Sequence, residues 1–129
     1  MARILILDSD KILADNLQAF FKSLGYSTRW QVEPQAALDS VDSFKPNLII
    51  MDLLLANRSG AEFLYELRSY PDWESLPVII YSSVGGNELG RSMPQGLDHL
   101  NIAAYYRKDS SSLKELNQTV KQLLQPVKA

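Results

Sequence analysis

Two carboxylates, a hydroxyl and an ammonium group each stand at the end of an apolar run of strand length. They belong to Asp8, Asp52, Ser82 and Lys108. A carboxylate can act as a nucleophile toward a phosphoryl group when nearby cations neutralise the negative charges of both reactants. An ammonium group can supply one cation. Mg²⁺, which takes one or two carboxylates together with waters and phosphate oxygens, can supply another.

The apolar runs that precede these residues predict the strands of a parallel sheet. Residues 4–7, 48–51 and 78–81 are apolar without polar alternation, which is typical of strands buried on both faces. Residues 27–32 and 102–107 predict two weaker strands. Apolar residues at helical spacing separate the strands. The sequence therefore predicts an α/β fold, a doubly wound five-stranded parallel sheet with helices on both faces.

Several helix ends can be placed from the sequence. Gly25 is a candidate C-cap, Pro34 suits the first turn of a helix, and Ser112 with Glu115 forms a capping box. Residues 84–100 contain glycines and prolines that interrupt any helix, so a fourth helix there is expected to be short or displaced. The first two helices are predicted to bury Leu13, Leu17, Phe20, Phe21 and Leu24, and Ala37, Leu38, Val41 and Phe44, respectively.

The four polar residues named first are predicted to share one edge of the sheet, because the carboxyl ends of parallel strands meet there. An Asp after a strand is, on its own, more often a cap for the next helix. Four such residues on four strands favour a functional site. His99 is the single histidine and is interpreted as a loop or surface residue, while Trp30 and Trp73 are interpreted as packing or surface aromatics.

The composition is ordinary for a globular domain and excludes several classes of site. The 129 residues carry a net charge of −2, and the 13 basic residues are scattered, whereas nucleic-acid-binding surfaces cluster them. Without cysteine, neither disulfides nor thiolate metal sites can form. No apolar run approaches the roughly 20 residues that cross a bilayer. We expect one domain over residues 1–129, located in the cytoplasm, that contacts neither membrane nor nucleic acid.

Five segments carry a family resemblance through their order and spacing. They are Ile4–Asp8, Pro46–Asp52, Gly60, Pro77–Ser82 and Tyr105–Lys108. Together they resemble the receiver domains of two-component response regulators over essentially the whole chain. The resemblance implies a flavodoxin-like strand order 2-1-3-4-5. It also implies that Asp52 accepts a phosphoryl group from a histidine kinase or phosphotransfer protein and that a downstream protein effector receives the signal. Such a domain is a signalling phosphoacceptor and not an enzyme.

The same resemblance implies roles for the other polar residues. Ser82 and Lys108 would contact the phosphoryl group, Tyr105 would act as an aromatic switch, and Mg²⁺ would bind at Asp8 and Asp52. We expect Ser82 to donate a hydrogen bond only when a phosphoryl oxygen is present. That bond would draw its loop inward and leave a space for Tyr105.

Three features depart from the family's pattern. Ser9 follows Asp8 where the family usually has a second acid that binds the metal directly, so Mg²⁺ binding is expected to be weak. Asp10 either replaces that acid as a metal ligand or caps the first helix, and capping is favoured. Asp109 stands where the family usually has proline, so the peptide bond before it is expected to be trans. Residues 84–100 are longer than the corresponding family segment.

Two other functions stay open at this point. One is a pseudo-receiver, an interaction module of the same fold that is not phosphorylated because Ser9 weakens the metal site. The other is a phosphatase of the haloacid-dehalogenase type, with Asp8 attacking and Asp10 acting as acid and base. The phosphatase needs a later acidic pair for Mg²⁺, which is missing after Lys108, and it leaves Asp52 without a role. The sequence does not indicate an oligomeric state.

Overall fold

One sheet of five parallel strands organises the molecule, in the order β2-β1-β3-β4-β5. The computed structural model describes residues 2–55, 59–83 and 100–124. The strands are β1 (Arg3–Leu7), β2 (Ser27–Gln31), β3 (Leu48–Met51), β4 (Val78–Ser82) and β5 (Ile102–Arg107). The helices are α1 (Lys11–Ser23), α2 (Pro34–Phe44), α3 (Gly60–Arg68) and α4 (Leu113–Leu124), with a 3-10 turn at Pro71–Trp73. The predicted fold class and strand order are both confirmed.

The strand β1 is paired on both sides, so its carboxyl end lies inside the sheet rather than at its border. Ile6 of β1 is in register with Trp30 of β2 on one side and with Ile50 of β3 on the other. All four strand pairings are parallel. The carboxyl ends of β1, β3, β4 and β5 therefore lie next to one another along one edge, which we call the carboxyl edge.

Helices cover both faces of the sheet, and each face has its own apolar core. Because successive strand residues point to opposite faces, Leu5 and Leu7 join one core while Ile4 and Ile6 join the other. The first core includes Ala37, Leu38 and Val41 of α2 and Phe63, Leu64 and Leu67 of α3. The second includes Ala14, Leu17 and Phe21 of α1 and Leu116 and Val120 of α4. Burial on both faces explains why these strands show no polar alternation.

The helix ends follow the signals in the sequence. Gly25, just after α1, has φ of +96°, a backbone conformation that glycine adopts without strain. At the start of α4, the backbone N–H of Glu115 donates to Ser112 Oγ at 3.1 Å, and that of Ser112 donates to Glu115 Oε1 at 2.9 Å. This reciprocal pair is the predicted capping box. Pro34 occupies the first turn of α2, as predicted.

Some predicted burial is wrong in detail. Leu24 lies at the C-cap of α1 and is 48% exposed, because the chain turns at Gly25 and carries it away from the buried stripe. Phe44 is only half-buried, with the Arg29 guanidinium 4.7 Å from its ring centroid. Strand β2 ends at Gln31, one residue earlier than predicted.

Two predicted features fall on residues 84–100. The predicted irregular helix within 84–100 and the single histidine, His99, lie outside the described residues, apart from Leu100, which is buried. Within the ranges described, no helix is long and apolar enough to cross a membrane.

Candidate functional site

The carboxyl edge brings together the four polar residues predicted to meet there. Asp8 and Asp52 come directly after β1 and β3, Ser82 is the last residue of β4, and Lys108 follows β5. The backbone supports this placement: the Asp52 N–H donates to the Leu7 carbonyl at 3.0 Å, and the Lys108 N–H donates to the Ser82 carbonyl at 3.0 Å. Strand pairing therefore continues to the point where the side chains enter the site.

Asp52 lies at the centre of the site and is 4% exposed. Its Oδ1 accepts hydrogen bonds from the Ser82 hydroxyl at 2.6 Å and from the Leu54 backbone N–H at 2.9 Å. Its Oδ2 accepts from Lys108 Nζ at 2.7 Å. Both oxygens of this buried carboxylate therefore have donors, as a charge removed from water requires.

Lys108 bridges the two carboxylates. Its Nζ lies 2.7 Å from Asp52 Oδ2 and 2.8 Å from Asp8 Oδ2. Burial by itself would lower the pKa of Lys108, but the hydrogen bonds to Asp52 and Asp8 and their negative charges outweigh this, so the pKa is raised. The ammonium is therefore charged at neutral pH and neutralises part of the charge of the carboxylate pair.

Asp8 is as deeply buried as Asp52, with 2% exposure. Its Oδ1 accepts the Asp10 backbone N–H at 2.8 Å. Burial raises the pKa of Asp8, and the Asp52 charge adds to the rise, whereas the Lys108 ammonium and the Asp10 N–H act in the opposite direction. The pKa of both partners in the Asp8–Lys108 pair is thus raised, because burial dominates for Asp8 and the paired carboxylates dominate for Lys108.

The chain after β1 forms a short loop whose polar groups differ in their contacts. The Asp10 carboxylate accepts the Leu13 backbone N–H at 3.1 Å and caps α1, which is the use favoured from the sequence. Ser9 is exposed. The carbonyl oxygen of Asp8 accepts the indole N–H of Trp30 at 2.7 Å. Asp8 is consequently held through its carboxylate, its amide and its carbonyl.

The carboxylates of Asp8 and Asp52 suit Mg²⁺ in their chemistry, since Mg²⁺ prefers oxygen ligands and keeps several waters. The Lys108 ammonium lies between them and would share them with the ion. In the described part of the chain, no group of three or more acidic, histidine or cysteine side chains could hold a metal ion. Asp8 and Asp52 are therefore the two carboxylates at this edge with the chemistry for Mg²⁺.

Gly60 is required where the chain returns under the site. A Cβ at this position would lie 2.7 Å from the carbonyl oxygen of Asp52 and 2.9 Å from the Cα of Leu53, which are too close for any side chain. The Gly60 N–H donates to the Leu53 carbonyl at 2.8 Å. Glycine eight residues after Asp52 thus allows α3 to begin against the backbone that carries the nucleophile candidate.

The expected behaviour of Ser82 is wrong in one respect. Ser82 is fully buried and already donates to Asp52 Oδ1, without any phosphoryl oxygen. A buried hydroxyl needs an acceptor, and a carboxylate oxygen is the strongest one within reach. Tyr105, the predicted switch, is half-buried and packs against the core formed with α2 and α3.

Two contacts of the site were not predicted from the sequence. The Leu54 N–H that reaches Asp52 could have been foreseen only in general terms, because a turn must follow the strand. The Trp30 indole was interpreted as a packing or surface aromatic, and it both packs and donates to Asp8. The peptide bond before Asp109 is trans, as expected, and Asp109 accepts two hydrogen bonds from Arg107 at 2.9 and 2.7 Å.

The chain matches a known family over most of its length. The family described as response regulator receiver domain matches residues 4–100. The chain belongs to this family. Receiver domains function in two-component signalling rather than as metabolic enzymes, and they generally bind Mg²⁺ at the phosphorylation site. The predicted family is confirmed.

Individual relatives of this receiver domain are distant and mostly longer. Protein Rrf1 of Nitratidesulfovibrio vulgaris is 30% identical over 88 residues, which make up 68% of this chain and 64% of that protein. Response regulator MprA of Mycolicibacterium vanbaalenii is 28% identical over 81 residues, 63% of this chain and 34% of that protein. The matched part spans from 12% to 64% of the length of three curated relatives that it matches.

A solved structure shows the same fold. The signal receiver domain of a signal transduction histidine kinase from Syntrophus aciditrophicus superposes with a TM-score of 0.80 at 24% identity. The superposition covers 96% of this chain and 90% of that one. At this identity the similarity extends to the fold alone.

Proposed function

We propose that this receiver domain accepts a phosphoryl group on Asp52 from a histidine kinase or phosphotransfer protein and passes the signal to a downstream protein effector. The observation that carries the proposal is the ammonium of Lys108 between the buried carboxylates of Asp52 and Asp8, at 2.7 and 2.8 Å. A buried carboxylate that faces a fixed cation is equipped to bring a second anion close. On this proposal the domain is a signalling phosphoacceptor over residues 1–129.

The transfer follows from the contacts of Asp52. A carboxylate oxygen forms a bond to phosphorus while the bond from phosphorus to the donor's imidazole nitrogen breaks, and the imidazole leaves with the electron pair. Before transfer, Lys108 neutralises the carboxylate of Asp52. After transfer, it would pair with the phosphoryl oxygens instead. The Ser82 hydroxyl, which rests on Asp52 Oδ1, would transfer its hydrogen bond to a phosphoryl oxygen.

Asp8 and Asp52 are the residues that would hold Mg²⁺ in this proposal. The ion supplies additional positive charge for the phosphoryl oxygens when it is bound. Asp10 is an unfavourable third ligand because its carboxylate caps α1 through the Leu13 N–H. Ser9 offers a neutral hydroxyl where a second charge would strengthen the site.

Acetyl phosphate with Mg²⁺, followed by intact mass measurement, tests the proposal. We expect the mass of one phosphoryl group to be added to the wild-type protein and none to Asp52→Asn. Asn keeps the size of the side chain and an acceptor oxygen for Ser82, so the variant is a matched control. A mass increase that persists in Asp52→Asn would assign the group to another residue.

The pseudo-receiver is a second candidate, and the loop after β1 favours it. Ser9 is neutral and exposed, and the Asp10 carboxylate caps α1 through the Leu13 N–H, so this loop offers Mg²⁺ only the carboxylate of Asp8. A pseudo-receiver would bind its partner constitutively, without phosphorylation. A wild-type protein that gains no mass from acetyl phosphate, yet still binds a partner, would support it over the phosphoacceptor.

The phosphatase alternative gains no support from the site. Its acid and base would be Asp10, whose carboxylate is engaged by the Leu13 N–H at the start of α1. Its nucleophile would be Asp8, and Asp52, which lies at the centre of the site, would have no role in it. The cytoplasmic location and the lack of contact with membrane and nucleic acid stay predictions.

A further inference from the structure

Trp30 makes a contact that nothing in the phosphoacceptor proposal uses. Its indole Nε1–H donates to the carbonyl oxygen of Asp8 at 2.7 Å, across 22 residues of sequence. The amide N–H of Asp8 in turn donates to the carbonyl of Gln31, the next residue of β2, at 3.1 Å. Both backbone polar groups of Asp8 are therefore bonded to the same neighbouring strand, one through the backbone and one through a side chain.

The indole donates to a backbone carbonyl that the pairing of β1 with β2 does not reach. The register of β1 with β2 ends at Leu7 and Gln31, so the carbonyl of the following residue lies beyond the ladder of the sheet. A buried carbonyl without a donor is costly, and a strand end that lacks one is free to change its direction. Trp30 supplies the donor and is itself held by packing against the core formed with α1 and α4.

The direction of the backbone at Asp8 decides where its carboxylate lies. That carboxylate is 2.8 Å from Lys108 and is one of the two that would hold Mg²⁺. Ser9 provides no charge beside it, and the Asp10 carboxylate caps α1, so Asp8 is the acid of this loop that faces the site. A shift of the strand end would move Asp8 relative to both Lys108 and Asp52.

We propose that Trp30 is a positioning residue of this site, which holds Asp8 in the geometry needed for Mg²⁺ through the indole hydrogen bond. The inference rests on the proposed function in so far as Mg²⁺ serves phosphorylation at Asp52. Trp30 acts only through Asp8 and touches no reacting atom.

Calorimetric titration with Mg²⁺ alone tests this without any phosphorylation. Trp30→Phe keeps an aromatic ring in the core but removes the donor, and we expect the dissociation constant for Mg²⁺ to rise about fivefold. That factor corresponds to about 1 kcal/mol, the net contribution of one hydrogen bond. Trp73→Phe is the matched control, because Trp73 lies in the 3-10 turn before β4, away from the carboxyl edge. We expect its Mg²⁺ affinity to equal that of the wild type.

A sharper variant separates the hydrogen bond from packing. Benzothienylalanine at position 30 has the shape of tryptophan with sulfur in place of the N–H, so it keeps the fold if Trp30→Phe does not. Weaker Mg²⁺ binding by the sulfur variant, measured at a temperature where it is fully folded, would support positioning. Equal Mg²⁺ affinity in wild type and the sulfur variant, or no Mg²⁺ binding in either, would overturn it.

The kinetics of phosphorylation give a second, independent readout. With acetyl phosphate, the Trp30 variants should need about fivefold more Mg²⁺ for half-maximal rate, yet reach the wild-type rate at saturation. A lower rate at saturation with unchanged Mg²⁺ dependence would contradict the positioning role. If the wild type gains no phosphoryl group at all, the proposed function fails, while the calorimetric comparison still decides the role of Trp30.

Discussion

The two edges of the sheet both hold polar side chains, but these side chains bond to different kinds of partner. Near the amino ends of β4 and β5, the Arg68 guanidinium donates to the carbonyls of Trp73, Leu100 and Asn101 at 2.7, 2.8 and 3.0 Å. Burial lowers the pKa of Arg68, and no carboxylate is among these three acceptors. The guanidinium ties α3 to the chain that enters the two strands.

At the carboxyl edge the side chains bond mostly to one another. Lys108 bonds to Asp8 and Asp52, and Ser82 bonds to Asp52. A side chain can exchange one partner for another by rotation, whereas a backbone carbonyl cannot leave without moving the chain. The contacts at the carboxyl edge can therefore rearrange around an incoming anion, whereas those at the amino edge hold the chain in one place.

Lys108→Ala should produce the largest effect and should affect both reactivity and stability. Phosphorylation by acetyl phosphate should slow about 100-fold or more, the effect of losing one charge-stabilising donor. The free energy of unfolding should fall by about 3 kcal/mol, because Asp8 and Asp52 lose their buried counterion. Mass-monitored kinetics and urea unfolding measure the two quantities.

A second substitution identifies the cause of that instability. Asp8→Asn in the Lys108→Ala background removes one of the two uncompensated charges and should recover part of the lost stability without restoring phosphorylation. If Lys108→Ala alone unfolds at the same urea concentration as the wild type, the carboxyl edge carries no charge that needs the ammonium.

Arg68→Ala should affect stability alone. Loss of three hydrogen bonds from a charged donor should lower the free energy of unfolding by about 2 kcal/mol. The rate of phosphorylation of the folded protein should not change. Arg68→Lys keeps the charge but not the planar guanidinium, so its free energy of unfolding should lie between those of the wild type and Arg68→Ala. Slower phosphorylation in Arg68→Ala at a temperature where it is fully folded would show that the edges are coupled.

Ser9→Asp should add a negative charge to the carboxyl edge and leave the amino edge unchanged. We expect Mg²⁺ to bind about tenfold more tightly, or about 1.4 kcal/mol. This is a fraction of the roughly 4 kcal/mol between unit charges 4 Å apart at an effective dielectric near 20. The metal-free protein should be less stable, because the added carboxylate crowds Asp8 and Asp52. Calorimetry on Ser9→Asp and on the neutral control Ser9→Asn separates charge from size, and equal affinities would contradict the expectation.

The smallest expected effect is a change in pH dependence. The pKa of Asp8 is raised in the fold, so between the ordinary carboxyl pKa, about 3.9, and the raised value the folded state keeps a proton that the unfolded state has released. The contribution of Asp8 to the free energy of unfolding therefore falls as pH rises through this window. Asp8→Asn should remove that slope, measured as the difference from wild type in urea unfolding across acidic pH. A parallel pH profile in both proteins would mean that the pKa of Asp8 is not raised.

Much of the site was predictable because its members are tied to strand ends. The apolar runs before Asp8 and Asp52 identify where each strand stops, and parallel strands place those stops on one edge. Gly25 and the Ser112–Glu115 pair were predictable for a similar reason, since caps depend on neighbours within a few residues. Patterns of this kind can be identified from the sequence alone, because every residue involved is close in the chain.

Other contacts depended on distances that only the assembled sheet determines. Ser82 lies 30 residues from Asp52, and whether its hydroxyl reaches that carboxylate follows from the register of β3 with β4 and from a single rotamer. Trp30 reaches Asp8 because β2 pairs with β1 in a particular register.

The sequence by itself determined the fold class and the residue types at the carboxyl edge, because apolar periodicity and strand ends are local properties. It indicated the family through the resemblance of five segments in order and spacing. Only the tertiary structure decided which partner each polar group takes. It assigned the Ser82 hydroxyl to a carboxylate, the Arg68 guanidinium to three carbonyls and the Trp30 indole to the backbone of Asp8. Hydrogen bonds act over about 3 Å, and separations that small between distant residues are set by the packing of the whole sheet.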